Sequence, residues 1–412
     1  MPSGGRRLSS TPVKTERDDT GRGAAPGPSK RGSVLPLASP AGDQGWRQQL
    51  QGAIRDLASL EEALPLSAEE RAGVEHALAD GFPLSITPHY LSLIDREDPH
   101  CPIRLQCVPR IAETREVPGD LRDPLGEEAH EVAPHLVQRY PDRALLLATD
   151  RCSVYCRFCT RSRMVGSGGG TRSLEALGPA LAYLRTHPEI REVILSGGDP
   201  LLLSSRRLSE ILSALASIES LNDVRVATRT PVTLPQRIDS EVCHALRAHP
   251  ATWVMTHFNH PRELCPASRQ ACAALADAGI PVMNHTVLLR GVNDAPDTLA
   301  ALFRGLVANR VRPYYLLQAD PVRGTGHLRT TLQTGIDIMA HLQGRLSGIA
   351  LPRLIVDTPG GLGKVPVGPD TIVTTRPGVT TLRTFRGDEV EYIDPPGPCH
   401  AAPDKRLDSP PR

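Results

Sequence analysis

The stretch that decides the fold is residues 144–164, ALLLATDRCSVYCRFCTRSRM. It opens with ALLLAT, an apolar run of the length and composition of a buried β-strand. Cys152, Cys156 and Cys159 follow at once, in the spacing C-x3-C-x2-C. In parallel barrels, the loops that follow the strands carry the chemistry. The stretch therefore predicts a strand that delivers three thiols to the functional end of a sheet.

Short apolar or β-branched runs recur downstream, and helix-like segments separate them. Together with the first run they are ALLLAT (144–149), EVILSG (192–197), VRVATR (224–229), WVMTHF (253–258), VMNHTVLL (282–289) and RPYYLLQ (312–318). Strands that alternate with helices indicate an α/β fold built of βα units with a parallel sheet. The regular unit length favours a curved sheet, a partial (β/α)6 barrel of the TIM type, although periodicity alone does not separate curved from flat sheets.

The regions on either side of these units differ from them in composition. We predict a disordered tail at 1–44, an N-terminal helical region at 45–135, a core at 136–350, a C-terminal segment at 351–395 and a flexible tail at 396–412. The apolar spacing of WRQQLQGAIRDLASLEEAL (46–64) predicts helix, and Ser67 followed by Glu70 predicts a capping box. TIVTT and VEYID are strand-like runs in the C-terminal segment.

Charge and composition exclude several classes of protein. The chain of 412 residues has 47 basic and 46 acidic side chains, so no basic surplus points to a nucleic-acid partner. No run approaches the ~18 apolar residues of a membrane-spanning helix. The first residues lack the apolar region of a secretory signal, and nine cysteines then indicate reduced thiols. We expect a cytoplasmic protein without nucleic-acid or membrane partners.

Three thiols leave a metal centre one ligand short. Thiolates suit zinc or iron–sulfur clusters. A structural zinc site needs a fourth ligand, usually from a second C-x-x-C pair, which the sequence lacks, although His135 or a distant cysteine could complete one. A [4Fe–4S] cluster is normally held by four cysteines, so three would leave one iron open to a reactant.

The cysteine spacing resembles the motif of the radical S-adenosylmethionine (SAM) superfamily. In that superfamily SAM chelates the open iron, and an electron from the cluster cleaves SAM to a 5′-deoxyadenosyl radical. The resemblance implies a [4Fe–4S] cluster held by Cys152, Cys156 and Cys159. It also implies that SAM is contacted by residues at the ends of later strands, namely Gly197, Gly198, Asp199, His257 and His285.

A second cofactor is suggested by PGGLGKVPVG (359–368), where Lys364 follows a glycine-rich bend. This is not a phosphate-binding P-loop, because Thr358 and Val365 occupy the motif's first and last positions. A lysine on such a bend can form a Schiff base with pyridoxal 5′-phosphate (PLP). A surface lysine is the alternative reading of this stretch alone.

Over roughly residues 46–393, the chain resembles the lysine 2,3-aminomutases. RYPDRALLLATDRCSVYCRFCTRSR, TRTPVTLPQRI, THFNHP, LLRGVND, RPYYLLQAD, HLRT and VDTPGGLGK occur in the family's order. The resemblance implies that Lys364 is the catalytic lysine that binds PLP. It further implies that Arg139 and Arg143 lie near the PLP phosphate, Arg161 binds the substrate carboxylate, and Asp320 and Asp357 hold the substrate's ε-ammonium.

The implied function is an isomerase that moves the α-amino group of L-lysine to Cβ and gives β-lysine. Leu317 and His285 depart from the family's usual residues, so an arginine 2,3-aminomutase is one alternative, and a non-catalytic iron–sulfur scaffold is another. The implied partners are an amino acid substrate, an electron donor such as flavodoxin or ferredoxin, and further copies in a homo-oligomer. Near the family's C-terminal zinc-binding cysteines this chain has only Cys399 and His400, whereas Cys272 matches the ligand from the partner subunit, so the resemblance leaves a zinc site open.

Overall fold

The computed structural model describes residues 43–79, 84–166 and 168–395. The predicted tails at 1–44 and 396–412 therefore lie outside the described residues, except for positions 43 and 44, which begin the first helix. Cys399 and His400 lie outside them as well.

Five short helices are the main regular elements in the described part of the N-terminal region. They are α1 (Asp43–Gln51), α2 (Leu57–Ala63), α3 (Ala68–Ala79), α4 (Pro88–Leu91) and α5 (Arg104–Cys107). The helix predicted over 46–64 is wrong in its middle, because α1 ends before Gly52 and Ile54 forms a β-bridge with Ile86. Both isoleucines are buried, so a tertiary contact overrides the helical spacing of the sequence here.

The predicted capping box at the start of α3 is present. The Ser67 hydroxyl accepts the Glu70 N–H at 3.2 Å, and the Glu70 carboxylate accepts the Ser67 N–H at 2.9 Å. Glu70 is fully buried and also binds Arg104, whose Nε lies 2.6 Å from its Oε1. A buried ion pair thus fixes α3 against α5.

A ten-stranded sheet with its strands in chain order forms the centre of the molecule. Its strands are β1 (Glu131–Ala133), β2 (Leu136–Tyr140), β3 (Arg143–Thr149), β4 (Glu192–Gly197), β5 (Asp223–Ala227), β6 (Thr252–Thr256), β7 (Val282–Leu288), β8 (Arg312–Gln318), β9 (Arg353–Asp357) and β10 (Lys364–Val367). Strands β3 to β9 run parallel, whereas β1, β2 and β10 pair antiparallel at the two edges.

The parallel α/β fold predicted from the sequence is confirmed. The six predicted strands are β3 to β8. In the described part of the chain, β9 adds a seventh parallel strand that the sequence did not assign to the core. The sheet extends across both predicted segment boundaries, near 135 and near 350.

Helices follow most of the parallel strands and cover one face of the sheet. They are α6 (Gly178–Thr186), α7 (Ser205–Ala216), α8 (Thr230–Thr233), α9 (Ser240–Leu246), α10 (Pro266–Asp277), α11 (Pro296–Ala308) and α12 (Leu332–Leu342). Helix α7 shows why, since its large apolar residues fall on one stripe and are buried: Leu208, Ile211, Leu212 and Leu215.

Along the strands, side chains point alternately into the apolar core and toward a second, inner face of the sheet. In β5, Val224 and Val226 are fully buried in the core, whereas Arg225 and Ala227 line an interior cavity. Successive side chains of a strand point to opposite faces, and β4 shows the same division, with Val193 and Leu195 in the core and Ile194 and Ser196 at the cavity. The inner face is therefore where polar side chains collect.

The two ends of the sheet meet through side chains. Arg139 of β2 lies 3.3 Å from the Asp357 carboxylate of β9, and Tyr140 of β2 accepts the backbone N–H of Lys364 on β10 at 2.8 Å. Contacts between the second strand and the last two require a curled sheet. The inner face is thereby enclosed.

A separate three-stranded antiparallel sheet follows the main sheet. Its strands are β11 (Ile372–Arg376), β12 (Val379–Arg383) and β13 (Glu389–Ile393). The runs TIVTT and VEYID supply β11 and β13, as predicted, whereas β12 was not predicted. Among the described residues, no helix is long and apolar enough to cross a membrane.

The buried Glu70 generates a stability prediction. Glu70→Ala removes the cap and leaves Arg104 as an unpaired buried charge, so we expect the free energy of unfolding to fall by about 3–5 kcal/mol. Urea unfolding of the purified protein measures this loss. Glu69→Ala, at an exposed position in the same turn, is the control and should change it by less than about 0.5 kcal/mol. Equal effects of the two variants would contradict the assignment.

Candidate active site

The three predicted cluster cysteines lie together on the loop after β3. The Cys159 N–H donates to the Cys156 carbonyl at 3.1 Å, so these two residues share one tight turn. The intervening side chains of Val154 and Phe158 are buried and anchor the loop. Burial and the adjacent Cys156 raise the pKa of the Cys159 thiol to about 11.

The donor set fits an iron–sulfur cluster. Among the described residues, no three His, Cys, Asp or Glu side chains converge closely enough to share a single metal ion. A cubane cluster does not require such convergence, because each of its cysteines binds a different iron. Soft thiols grouped on one loop are the ligands that such a cluster uses.

Gly197 and Gly198 allow the end of β4 to pack directly on the start of the cysteine loop. A Cβ on Gly197 would overlap the carbonyl oxygen of Thr149, and one on Gly198 would overlap that of Arg151. Gly197 also has a φ of +122°, which L side chains rarely adopt. From the sequence we predict that these glycines let backbone groups approach SAM, and this role stays a prediction. In the structure, their lack of side chains admits the backbone that leads to the cysteines.

Asp199 joins the ends of β4 and β5. Its buried carboxylate accepts the Thr228 hydroxyl at 2.6 Å, the Arg229 N–H at 2.8 Å and the Leu201 N–H at 3.0 Å. Burial raises the pKa of Asp199, and these hydrogen bonds act in the opposite direction. The side chain is thus engaged by the protein itself, and any contact with SAM stays a prediction.

His257 and His285 lie side by side near the cysteine loop. Their ring centroids are 4.5 Å apart, and the Phe158 ring is 5.5 Å from His257. Burial, followed by the charge of Lys364, lowers the pKa of His285 to about 4. Burial also lowers the pKa of His257. Both imidazoles are therefore neutral at neutral pH.

A cavity of about 430 Å³ lies on the inner face of the sheet. It brings together six of the predicted site residues, from segments far apart in the chain: Arg139, Arg143, Arg161, His285, Asp357 and Lys364. Arg225 and Arg353 also line it, whereas its acidic lining consists of Glu127 and Asp357. Six basic and two acidic side chains leave a surplus of positive charge that suits an anionic group.

Arg161, the predicted ligand of the substrate carboxylate, is held by Glu127. Its Nε and Nη2 lie 2.9 Å and 2.7 Å from Glu127 Oε1, while Nη1 faces the Ser196 hydroxyl at 3.4 Å. Burial acts to raise the pKa of Glu127, but the charges and hydrogen bonds of Arg161 and Arg163 outweigh it and lower that pKa. One edge of the guanidinium is thus fixed by the protein.

Lys364 begins β10 and points its amine at Asp357. The Asp357 carboxylate binds both Lys364 Nζ and Arg139 Nη2, and it is 8% exposed. The preceding glycine turn packs under the 125–130 loop, where a Cβ on Gly361 would crowd the Leu125 carbonyl oxygen. That packing places the lysine within the cavity.

Asp320 lies beside Asp357 but faces a neighbouring cavity. Asp357 lines both cavities, and the second one measures about 410 Å³. Burial, and then the charge of Asp357, raise the pKa of Asp320 to about 7, although Lys364, Arg139 and Arg161 oppose the shift. The structure therefore brings the predicted acid pair together at the junction of the two cavities.

Several residues of the site were not predicted from the sequence. Glu127, Tyr140 and Arg225 belong to this group, since no local motif marks them. One available signal was missed: the chain has lysines only at positions 14, 30, 364 and 405. Lys364 is thus the one lysine between residues 31 and 404, in a sequence that otherwise uses arginine.

The chain matches two family models and is similar to several named enzymes. Residues 146–303 match the family model of the Radical SAM superfamily, and residues 339–408 match that of Lysine-2,3-aminomutase. The L-lysine 2,3-aminomutase of Fusobacterium nucleatum is 43% identical over 86% of this chain and 83% of its own length. That of Clostridium subterminale is 43% identical over 85% and 84%. The glutamate 2,3-aminomutase of Clostridioides difficile is 38% identical over 85% and 83%.

The fold and the first match define the class, a radical SAM enzyme. This class implies a [4Fe–4S] cluster and SAM. The relatives narrow the assignment further, and the chain belongs to the lysine 2,3-aminomutase family, whose members are isomerases.

The cysteine assignment predicts a selective loss of iron. Cys156→Ala should bind at least about tenfold less iron than the unmodified protein after anaerobic reconstitution, because a cluster ligand is missing. Iron and sulfide content and visible absorbance measure this loss. Cys243→Ala, at a buried thiol on α9, is the matched control and should retain the cluster. Unchanged iron content in Cys156→Ala would refute the assignment.

Proposed function

We propose that this chain catalyses the 2,3-amino shift of a basic α-amino acid, with L-lysine as substrate and β-lysine as product. The observation that carries the proposal is the position of Lys364. It lies in the arginine-lined cavity, and it is the one lysine between residues 31 and 404. An arginine could replace a lysine used only for its charge, but it cannot act as an amine nucleophile.

The residues of this cavity fit PLP. Lys364 would hold its aldehyde carbon, and Arg139 and Arg143 would bind its phosphate with guanidinium forks. Arg143 stacks 4.2 Å from the Tyr140 ring, and Tyr140 in turn accepts the Lys364 N–H, so amine and forks belong to one packed unit. The positive surplus of the lining supports an anionic cofactor at this position.

The bound cofactors would supply radical generation and delocalisation of the unpaired electron, and the protein would supply position and dryness. Arg161 would bind the substrate carboxylate with the edge that Glu127 leaves available. His285 lies between the cavity and His257, which contacts the cysteine loop. Substrate bound at Arg161, in the cavity that contains Lys364, would therefore face the end of the sheet that carries the cluster.

The acid pair supports a basic substrate. Asp357 is already the partner of an ammonium, that of Lys364. Asp357, together with the neighbouring Asp320, would in the same way pair with the distal ammonium of the substrate. Two carboxylates at this place would repel an acidic side chain such as that of glutamate. We therefore place this chain with its lysine-specific relatives rather than with the glutamate enzyme.

A second candidate substrate is arginine. The cavity of about 410 Å³ beyond Asp320 is lined by Gln318 and Thr330 among others, and it offers room for a side chain longer than lysine. Leu317, which lines the main cavity, also differs from the aromatic residue common in the family.

We further propose a low-potential one-electron donor such as flavodoxin or ferredoxin, and a homo-oligomeric assembly. Both follow from family membership.

The proposed function predicts a specific product. Reconstituted protein, incubated anaerobically with SAM, PLP and dithionite, should convert L-lysine to β-lysine and leave L-glutamate unchanged. L-Arginine and L-ornithine complete the panel, with products identified by mass spectrometry. Preferential conversion of arginine would reassign the substrate. No product from any of the four, with cluster and PLP bound, would favour the non-catalytic scaffold.

The pKa of Asp320 predicts a pH-dependent affinity for the basic substrate. Asp320 binds an ammonium only when ionised, and its pKa is raised to about 7. As the pH falls from about 7 to about 6, the ionised fraction of a carboxyl with a pKa of about 7 falls about fivefold, so the KM for lysine should rise about fivefold. Asp320→Asn should give a higher KM without this slope. The variant is the matched control, because lysine itself ionises in the same way in assays of either protein. An identical slope in both proteins would exclude Asp320 as its source.

A further inference from the structure

A buried arginine contacts one of the three cluster cysteines. Arg229 follows the end of β5, is 8% exposed, and places Nη1 2.8 Å from Cys156 Sγ. An N–H group at this distance donates a charge-assisted hydrogen bond to the sulfur. Neither the cysteine motif nor the substrate cavity accounts for this residue.

The guanidinium is fixed by buried partners on its other side. Nη2 donates to Glu263 Oε1 at 2.8 Å, to the Tyr90 hydroxyl at 2.9 Å and to Gln106 Oε1 at 2.5 Å. The Arg229 Cζ atom lies 5.4 Å from the centre of the Phe158 ring, and Phe158 belongs to the cysteine loop. The fork therefore has one orientation, and that orientation directs Nη1 at the sulfur.

The partners of Arg229 are themselves held. Glu263 is fully buried, and it accepts the Tyr90 hydroxyl at 2.8 Å and the Asn259 N–H at 2.6 Å. The Asn259 side chain donates to Gln106 at 2.9 Å and lies 3.1 Å from His257 Nε2. One buried network thus runs from the cysteine loop to the histidine that is predicted to contact SAM.

We infer that Arg229 is a positioning residue that raises the reduction potential of the cluster through its hydrogen bond to Cys156. The inference rests on the proposed cluster assignment. Reduction adds one electron from an external low-potential one-electron donor to the oxidised cluster, with no bond made or broken. The added negative charge is stabilised by the nearby cation and its N–H···S bond, and both factors set cluster potentials.

Arg237 offers a comparison within the same chain. It is fully buried, and its guanidinium donates to the carbonyl oxygens of Leu201 and Leu203 at 2.9 Å and 3.0 Å. These contacts pack the segment that follows β4. Loss of a buried arginine in general can therefore be separated from loss of the arginine at the cluster.

The test is an anaerobic redox titration of the reconstituted protein, followed by electron paramagnetic resonance, without SAM or substrate. Arg229→Gln should lower the reduced-to-oxidised ratio at a fixed potential about tenfold, equivalent to a fall of about 59 mV for a one-electron couple. Arg229→Lys keeps the charge but loses the guanidinium fork, so its cluster potential should lie between those of the unmodified protein and Arg229→Gln. Arg237→Gln should leave the potential unchanged.

Glu263→Gln gives a test of sign. It removes the counter-charge of Arg229, so the potential should rise, whereas general loosening of the network would shift both variants in the same direction. An unchanged potential in Arg229→Gln, or an equal fall in Arg237→Gln, would overturn the inference. Loss of the cluster from both Arg229 variants would leave the residue a structural role alone and also overturn it. Absence of a cluster from the unmodified protein would overturn the proposed function as well.

Discussion

The site depends on one buried carboxylate that joins the two ends of the sheet. Asp357 binds Arg139 from the second strand and Lys364 from the tenth. A carboxylate this buried needs its cationic partners, because an unpaired buried charge is strongly destabilising. The contact holds the sheet in its curled form and brings the inner faces of its strands together. Residues as distant in sequence as Arg161 and His285 therefore line one cavity.

In the proposed function, the cysteine loop would support the radical chemistry, and the acid pair Asp320 and Asp357 would select the substrate. The cysteine loop, the two histidines and the network around Arg229 form one end, where burial keeps the imidazoles neutral. The cavity that contains Lys364 and Asp357 adjoins this group through His285, which lines it. Relatives named for lysine and for glutamate are both similar to this chain over most of its length. In the proposed function, a change at the acid pair would therefore alter which amino acid the site accepts.

Much of the fold could be predicted from the sequence, because short apolar runs alternate with helical segments and each strand's end is marked by polar residues. The failures have physical causes. Ile54 continues a helical pattern but pairs with Ile86, a contact that no local window contains. The grouping of Arg139, Asp357 and Lys364 followed only from family resemblance. Glu127 beside Arg161 and Arg229 beside Cys156 were missed altogether, since each pair joins separate loops through a contact made only in the folded chain.

The central claim is that Lys364 in this enclosed cavity is the covalent attachment point of PLP. Incubation with PLP, reduction with borohydride and peptide mass spectrometry test it most directly, since the chain offers only four lysines. We expect a stable pyridoxyl adduct on the peptide that contains Lys364, and none on those that contain Lys14, Lys30 or Lys405. An unmodified Lys364 peptide, or an adduct on another lysine instead, would contradict it.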